Sequence, residues 1–214
     1  MEERFIRVGR TARFHQLGDP QTAGRLWVVV HGYGQLARYF LNAFAPVAGA
    51  DAVVAPEGLS RFYLDDAHQR VGATWMTRED RLHEIDDHVA YLDALCDELR
   101  KHAMPGARIC ALGFSQGVAT LMRWAVQGRT DLNRIVLWGG SLPPDLDGER
   151  LKARLSNAAV HLVHGNGDDL VPMEAMHDGA QLLRRHGVKC TTDTFDGGHE
   201  LDSIALSEAL TGNR

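Results

Sequence analysis

The chain has 214 residues, of which 44% are hydrophobic and 24% charged. These proportions are typical of soluble globular proteins and exclude collagen-like, fibrous and intrinsically disordered classes. Asp and Glu number 28 against 23 Lys and Arg, which gives a formal net charge of -5. No basic surplus is available to neutralise phosphates, so nucleic acid is not expected as a partner.

The start of the chain and its cysteines indicate the cellular compartment in which the protein is expected. Residues 1–7 carry charges where a signal peptide needs an apolar core, and no stretch approaches the roughly 18 apolar residues of a membrane span. The three cysteines, Cys96, Cys110 and Cys190, form no C-x-x-C pair and indicate neither a disulfide framework nor a zinc ribbon. We therefore expect a cytoplasmic protein without integral membrane contact.

Strands and helices are predicted to alternate along the chain. Residues Phe5 to Leu17 alternate in polarity, which predicts an antiparallel edge hairpin. Continuous apolar runs predict further strands at Arg25–His31, Asp51–Ala55, Arg108–Phe114, Arg134–Trp138, Val160–His164 and Lys189–Phe195. Helical spacing of apolar residues predicts helices at Gln35–Phe44, Leu82–Leu99, Gln116–Gln127, Glu149–Asn157, Glu174–His186 and Glu200–Leu210.

This alternation predicts an α/β fold with a mostly parallel sheet, formed as a single domain over residues 1–214. Because the strands are continuously apolar, helices are expected to cover both faces of the sheet. In such sheets functional groups lie in the loops beyond the carboxyl ends of the strands. Candidate functional residues are therefore sought in those loops.

A serine lies in a G-x-S-x-G turn between a predicted strand and a predicted helix, in Gly113-Phe114-Ser115-Gln116-Gly117. A serine hydroxyl can serve as a nucleophile when a sharp turn exposes it, and the two glycines would relieve the crowding of such a turn. The amide of Gln116 would then face any negative charge that develops beside Ser115. We predict Ser115 as a nucleophile, with a purely structural serine as the alternative.

A base and an orienting acid follow two later predicted strands. His199 lies in Asp196-Gly197-Gly198-His199-Glu200, after the last strand, and is the best candidate for the base. Asp168 and Asp169 follow the strand that ends at His164, and the residues alone leave both open as the acid. Serine, aspartate and histidine in this chain order are typical of α/β-hydrolases.

The first strong strand runs into His31-Gly32-Tyr33-Gly34, where the amide of Tyr33 can complete an oxyanion hole. An alternative interpretation is a dinucleotide-binding turn, since Gly32-Tyr33-Gly34-Gln35-Leu36-Ala37 fits the pattern G-x-G-x-x-G/A. That hypothesis leaves Ser115 and the later loops unexplained. His31 itself is interpreted as a structural hydrogen-bonding residue.

The segment from His83 to His88 contains several potential metal ligands. On a helix its two histidines are five residues apart and point about 140° away from one another, unlike a metal-binding i, i+4 pair. We interpret the segment as a solvated face opposite the stripe of Leu82, Ile85 and Val89. Neither a metal nor an organic cofactor is expected.

These motifs together resemble the small carboxylesterase and phospholipase family of α/β-hydrolases, which includes acyl-protein thioesterases. The matching segments are His31-Gly32-Tyr33-Gly34, Gly113-Phe114-Ser115-Gln116-Gly117, His164-Gly165-Asn166-Gly167-Asp168 with Val171-Pro172, and Gly198-His199-Glu200. The resemblance implies Ser115 as nucleophile, Asp168 as orienting acid and His199 as base. It implies a serine esterase, with lysophospholipase or thioesterase activity as variants.

The substrate is expected to be a small-molecule ester or an acyl group, bound in an open site. The short stretch after Trp138 leaves no room for a large cap domain. Aromatic and apolar residues between Glu57 and Thr77, Trp75 among them, suit an apolar acyl chain, and no charged clamp for an anionic head group is visible. Tyr33, Gln116 and Trp75 are the predicted substrate-binding residues. A homodimer is compatible with the sequence.

Overall fold

A computed structural model describes residues 1–212 as a seven-stranded sheet with a separate two-stranded hairpin. The strands are β1 (Phe14–Leu17), β2 (Arg25–Val30), β3 (Ala52–Pro56), β4 (Ser60–Tyr63), β5 (Val71–Thr74), β6 (Arg108–Phe114), β7 (Arg134–Trp138), β8 (Ala159–Gly165) and β9 (Cys190–Phe195). The helices are α1 (Ala37–Leu41), which continues into a 3-10 turn at Asn42–Phe44, α2 (Arg81–His102), α3 (Gln116–Gln127), α4 (Gly148–Leu155), α5 (Met173–Arg185) and α6 (Ser203–Thr211).

The main sheet has the strand order β1-β3-β2-β6-β7-β8-β9. Every neighbouring pair in it is parallel except β1 with β3. The carboxyl ends of the parallel strands therefore meet at one edge of the sheet, where loops from β2, β6, β7, β8 and β9 can contact one another. The predicted α/β fold with a mostly parallel sheet is confirmed.

Helices cover both faces of this sheet. In β2, Leu26, Val28 and Val30 pack into a cluster that includes residues of α2 to α5. Trp27 and Val29 of the same strand pack on the opposite face, in a cluster that includes residues of α1 and α6. Since both faces of the strand exclude water, its sequence is continuously apolar.

The predicted edge hairpin at Phe5–Leu17 is wrong. Only Phe14–Leu17 forms a strand, and this strand pairs antiparallel with β3. Residues preceding Arg13 lie near α2, where the Phe5 ring is 4.3 Å from the ring of His83. Residues 1–11 are exposed to solvent, so the alternating pattern does not correspond to a buried strand face there.

The hairpin of β4 and β5 was not predicted. Its strands have four residues each, and β4 is only partly buried, so neither presents a continuous apolar run.

Between β7 and β8 the described chain forms only the short helix α4, and no large cap domain is present there. Across residues 1–212, none of the helices has both the length and the apolar character needed to cross a bilayer.

The buried face of α2 differs from the predicted one. His88, expected on the solvated face, is 1% exposed, whereas Leu82, expected in the apolar stripe, is 69% exposed. His88 lies three residues after Ile85 and four before Leu92, which places it on the same helix face as both. Desolvation by this burial lowers the pKa of His88 to about 4.

We expect His88→Leu to weaken the acid sensitivity of the fold. The pKa of His88 is about 4 in the folded chain against an ordinary value of 6.5, so the unfolded chain binds the extra proton between these values. Stability from the neutral ring is therefore present above pH 6.5 and is lost as the pH falls towards 4. The free energy of unfolding of the native sequence should fall there by about 1.4 kcal/mol per pH unit from this group.

The measurement is urea unfolding at several pH values between 7 and 4. His88→Leu should show a shallower pH dependence than the native sequence, whereas the exposed His177→Leu control should show the native dependence. Equal slopes in all three proteins would contradict the assignment.

Candidate active site

Ser115 lies in a sharp turn between β6 and α3. Its φ of 55° and ψ of -118° are unusual for a residue with a side chain. Its amide donates to the carbonyl of Trp138 at 2.9 Å, and its carbonyl accepts from the amide of Val118 at 2.9 Å. The neighbouring strand and helix thus hold the serine in a conformation that it would not adopt alone.

The glycines on either side of Ser115 permit close packing of the turn. A β-carbon on Gly117 would lie 2.1 Å from the carbonyl oxygen of Val30 in β2. A β-carbon on Gly113 would lie 2.4 Å from the carbonyl oxygen of Gly117. The start of α3 can therefore approach β2 and β6 only when both positions lack side chains.

Asp168 and His199 meet in the loops that follow β8 and β9. The Nδ1 of His199 is 2.7 Å from Oδ2 of Asp168, and the Asp168 side chain is 1% exposed. The other carboxylate oxygen accepts from the amides of Leu170 and Val171, both at 2.9 Å. Asp169 is exposed to solvent. Of the two aspartates left open, Asp168 is the one that contacts the histidine.

Hydrogen bonds keep Asp168 ionised despite its burial. Burial alone raises the pKa of this carboxyl, but the hydrogen bonds from His199 and from the Val171 and Leu170 amides outweigh burial and lower it. An ionised carboxylate only accepts hydrogen bonds, so Nδ1 of His199 carries the proton. In the neutral ring, Nε2 of His199 is then the acceptor.

The His199 ring lies beside the turn that holds Ser115. Its centroid is 4.9 Å from that of Phe114, the residue before the serine. A β-carbon on Gly139, just after β7, would lie 3.5 Å from Oδ2 of Asp168 and 3.6 Å from Nδ1 of His199. Within residues 1–212 no hydrogen bond joins the Ser115 hydroxyl to the ring, and such bonds often tighten only when substrate binds.

The loop after β2 is fixed by a set of hydrogen bonds around His31. The buried His31 ring accepts from the Gly58 amide at Nε2, 3.0 Å away, and its Nδ1 lies 2.7 Å from the Gly32 carbonyl. The indole of Trp75 donates to the His31 carbonyl at 2.9 Å. Burial lowers the pKa of His31. Both ring nitrogens thus contact backbone groups, as expected of a structural residue.

Two backbone amides near Ser115 have no acceptor in the described chain. The amides on either side of Tyr33 are occupied, since Gly32 donates to Oε1 of Gln35 at 2.8 Å and Gly34 donates to the Ala73 carbonyl at 2.9 Å. Across residues 1–212 the Tyr33 amide donates to no protein acceptor.

The Gln116 amide likewise donates to no protein acceptor of residues 1–212, because Gln116 is the first residue of α3. A β-carbon on Gly32 would lie 3.2 Å from that of Ser115, so the β2 loop is adjacent to the serine.

The loop after β2 also disfavours the alternative interpretation of this segment as a dinucleotide-binding turn. A pyrophosphate site needs backbone amides directed at the ligand from the start of a helix. The Gly34 amide is used by Ala73, and the α1 helix that follows has five residues.

The predicted substrate-binding residues occupy different surroundings. Tyr33 is 61% exposed, and its ring lies 5.1 Å from that of Phe62. The Gln116 side chain is directed at the end of β5, where Nε2 donates to the Met76 carbonyl at 3.1 Å. Trp75 is 2% exposed. Its role in substrate binding stays a prediction, and this buried position does not favour it.

A cavity of about 900 Å³ opens beside His199 and Phe114. Its lining includes Arg13, Arg38 and Arg70. These arginines are not among the residues predicted for the site, and the absence of a charged clamp stays a prediction. The three arginines are far apart in sequence, and only the folded hairpin of β4 and β5 brings Arg70 to the same cavity as Arg38 in α1, so no local pattern indicated them.

Comparison with known proteins shows which family model the chain matches and which solved structures share its fold. A family model described as Phospholipase/Carboxylesterase matches residues 20–211. The solved structure of esterase PE8 is 23% identical, with a TM-score of 0.70, and the alignment covers 95% of this chain and 98% of that one. Acyl-protein thioesterase 2 of Zea mays is 19% identical, with a TM-score of 0.74 and coverage of 95% and 99%.

A carboxylesterase from Mesorhizobium loti is 17% identical, with a TM-score of 0.74 and coverage of 94% and 95%. At these identities the three structures show a shared fold. No curated protein sequence matches the chain.

Proposed function

The chain belongs to the phospholipase/carboxylesterase family, and from this premise we propose that it is a serine hydrolase that cleaves carboxylic esters or thioesters through an acyl-enzyme. Ser115 is the nucleophile, His199 the general base and Asp168 the orienting acid. The observation that carries the proposal is the 2.7 Å contact between His199 and Asp168 beside the constrained turn of Ser115.

The reaction begins when Nε2 of His199 takes the proton of the Ser115 hydroxyl and Oγ bonds to the substrate carbonyl carbon. Asp168 stabilises the resulting imidazolium. The tetrahedral intermediate expels the alcohol or thiol, which receives the proton from His199 and leaves an acyl ester on Ser115. Water then attacks this ester by the same steps and releases the carboxylic acid.

The oxyanion of each tetrahedral intermediate is assigned to the amides of Tyr33 and Gln116. Both amides lack acceptors in the described chain, and they flank Ser115 from two different loops. Loss of one such donor typically costs about 2.7–4 kcal/mol of transition-state stabilisation. The Gln35 side chain, which holds the Gly32 amide, supports this geometry by fixing the β2 loop.

The chain supplies the nucleophile, the base and the oxyanion donors, so the reaction as proposed requires no metal and no organic cofactor. The substrate is a small-molecule ester or an acyl group carried by another molecule. Lysophospholipase and thioesterase activities are variants of this proposal, and the family description itself names phospholipase and carboxylesterase.

We expect a fluorophosphonate to modify Ser115, which peptide mapping of the labelled intact protein would show. Ser115→Ala should lose labelling and lower the hydrolysis rate of 4-nitrophenyl butanoate by about 10⁴-fold or more, because the covalent step is lost. The exposed Ser156→Ala serves as the matched control and should be labelled like the native protein. Labelling at another residue, or undiminished hydrolysis by Ser115→Ala, would overturn the proposal.

We expect Asp168→Asn to lower kcat far more than the substitution of its neighbour, Asp169→Asn. The Asp168 substitution removes the carboxylate that sets the His199 tautomer and should lower kcat by roughly 10³–10⁴-fold. Asp169 is exposed, and its substitution should leave kcat within about twofold, as is usual for surface changes. Steady-state kinetics of both variants on one nitrophenyl ester make the comparison. Equal losses in the two variants would exclude the assigned acid.

A further inference from the structure

Cationic side chains outnumber acidic ones in the lining of the cavity beside His199, although the chain as a whole is acidic. Its lining includes three arginines, Arg13, Arg38 and Arg70, and one carboxylate residue, Glu200. The formal net charge of the chain is -5. A concentration of cationic side chains in one concave site of an acidic protein favours an anionic ligand there.

One of the three arginines is already neutralised. The Nε of Arg13 is 2.8 Å from Oε1 of Glu57, whose side chain is fully buried and which also binds Arg61 at 2.6 Å. These hydrogen bonds raise the pKa of Arg13. The Arg13 guanidinium is therefore occupied by the ion pair with Glu57 and is not available to a ligand.

Arg38 and Arg70 form no ion pair with any carboxylate of residues 1–212. The Arg38 guanidinium lies over the ring of Tyr39, 4.3 Å from its centroid. Arg70 is anchored by its backbone, since its amide donates to Oδ2 of Asp65 at 2.9 Å and its carbonyl accepts from the Leu64 amide at 2.8 Å. One Nη of Arg38 also donates to the Tyr39 hydroxyl. Both arginines line the cavity, and neither is neutralised by a carboxylate of the described residues.

Glu200 does not neutralise them. Its Oε1 lies 3.1 Å from the position that a β-carbon on Gly197 would take, so the carboxylate is directed at its own loop. Glu200 forms no ion pair with Arg38 or Arg70 among the described residues.

The position of His199 identifies which part of a substrate enters the cavity. The histidine that takes the proton of the serine later delivers it to the leaving oxygen or sulfur, so the leaving group must be next to His199. Since His199 lines this cavity, the cavity is adjacent to the position that the leaving group takes in the proposed reaction. Leu36, Leu64 and Val71 line the same cavity and can contact its carbon chain.

We propose that the preferred substrates are esters or thioesters whose leaving alcohol or thiol carries a carboxylate or phosphate, bound by Arg38 and Arg70. Guanidinium groups pair with both anions through two parallel hydrogen bonds. This inference rests on the proposed esterase function, and it specifies the substrate class of that same site.

The test compares two butanoate esters that release a nitrophenolate, 4-nitrophenyl butanoate and 3-carboxy-4-nitrophenyl butanoate. They differ by one carboxylate on the leaving group, and both are followed by absorbance. The quantity measured is the ratio of kcat/KM for the anionic ester to kcat/KM for the neutral ester. Comparing this ratio between proteins cancels the different intrinsic reactivities of the two esters.

The ratio in the double variant Arg38→Gln/Arg70→Gln should be about tenfold or more below that of the native protein, since two charged hydrogen-bonding groups are lost. Arg38→Lys/Arg70→Lys, which keeps the charges, should retain an intermediate ratio. Arg185→Gln, an exposed arginine outside the cavity lining, should keep the native ratio. Added salt should lower the native ratio and leave that of the double Gln variant unchanged.

Inhibition of neutral ester hydrolysis by methyl phosphate or by acetate separates the two anion classes. The stronger inhibitor identifies the group, and its effect should be lost in the double Gln variant. An unchanged ratio in that variant, with neutral ester hydrolysis still dependent on Ser115, would overturn this inference alone. Absence of hydrolysis of both esters by the native protein would instead overturn the proposed function.

Discussion

The backbone at Ser115 is the constraint on which the site depends. A residue with a side chain rarely adopts a φ of 55° and a ψ of -118°, and it does so here because β6 and α3 fix it from both sides. A β-carbon at position 117 would lie 2.1 Å from the Val30 carbonyl oxygen. The turn can therefore form only because this residue is glycine. Packing of the turn against the apolar sheet thus holds the partly buried Ser115 in a strained backbone conformation.

The remaining groups follow from the topology of the sheet. Parallel order places the ends of β2, β6, β8 and β9 at one edge, so loops distant in sequence converge on Ser115. Burying the Asp168 carboxylate is unfavourable by itself, and the hydrogen bonds of His199, Leu170 and Val171 compensate for it. The same bonds orient the histidine ring, so the electrostatic stability of the loop and the geometry of the proposed base have one physical cause.

The elements that could be predicted from the sequence are those determined by residues adjacent in the chain. The strand Arg108–Phe114, the turn and the helix Gln116–Gln127 agree with their predicted bounds, since an apolar run, two glycines and a helical pattern adjoin there. The β4 and β5 hairpin, the burial of His88 and the arginines of the cavity depend on contacts between distant segments. The residue type of a histidine in a helix predicts an exposed position. Only the structure shows that Ile85 and Leu92, on the same helix face as His88, are buried.

The proposed reaction depends most on an oxyanion site formed together by the Ser115 turn and the β2 loop. The measurement that tests it most directly is a crystal structure of the protein after reaction with a fluorophosphonate. We expect a phosphorus bonded to Oγ of Ser115, with its free oxygen within hydrogen-bonding distance of the amides of Tyr33 and Gln116. An adduct whose oxygen is directed to solvent, away from both amides, would contradict it.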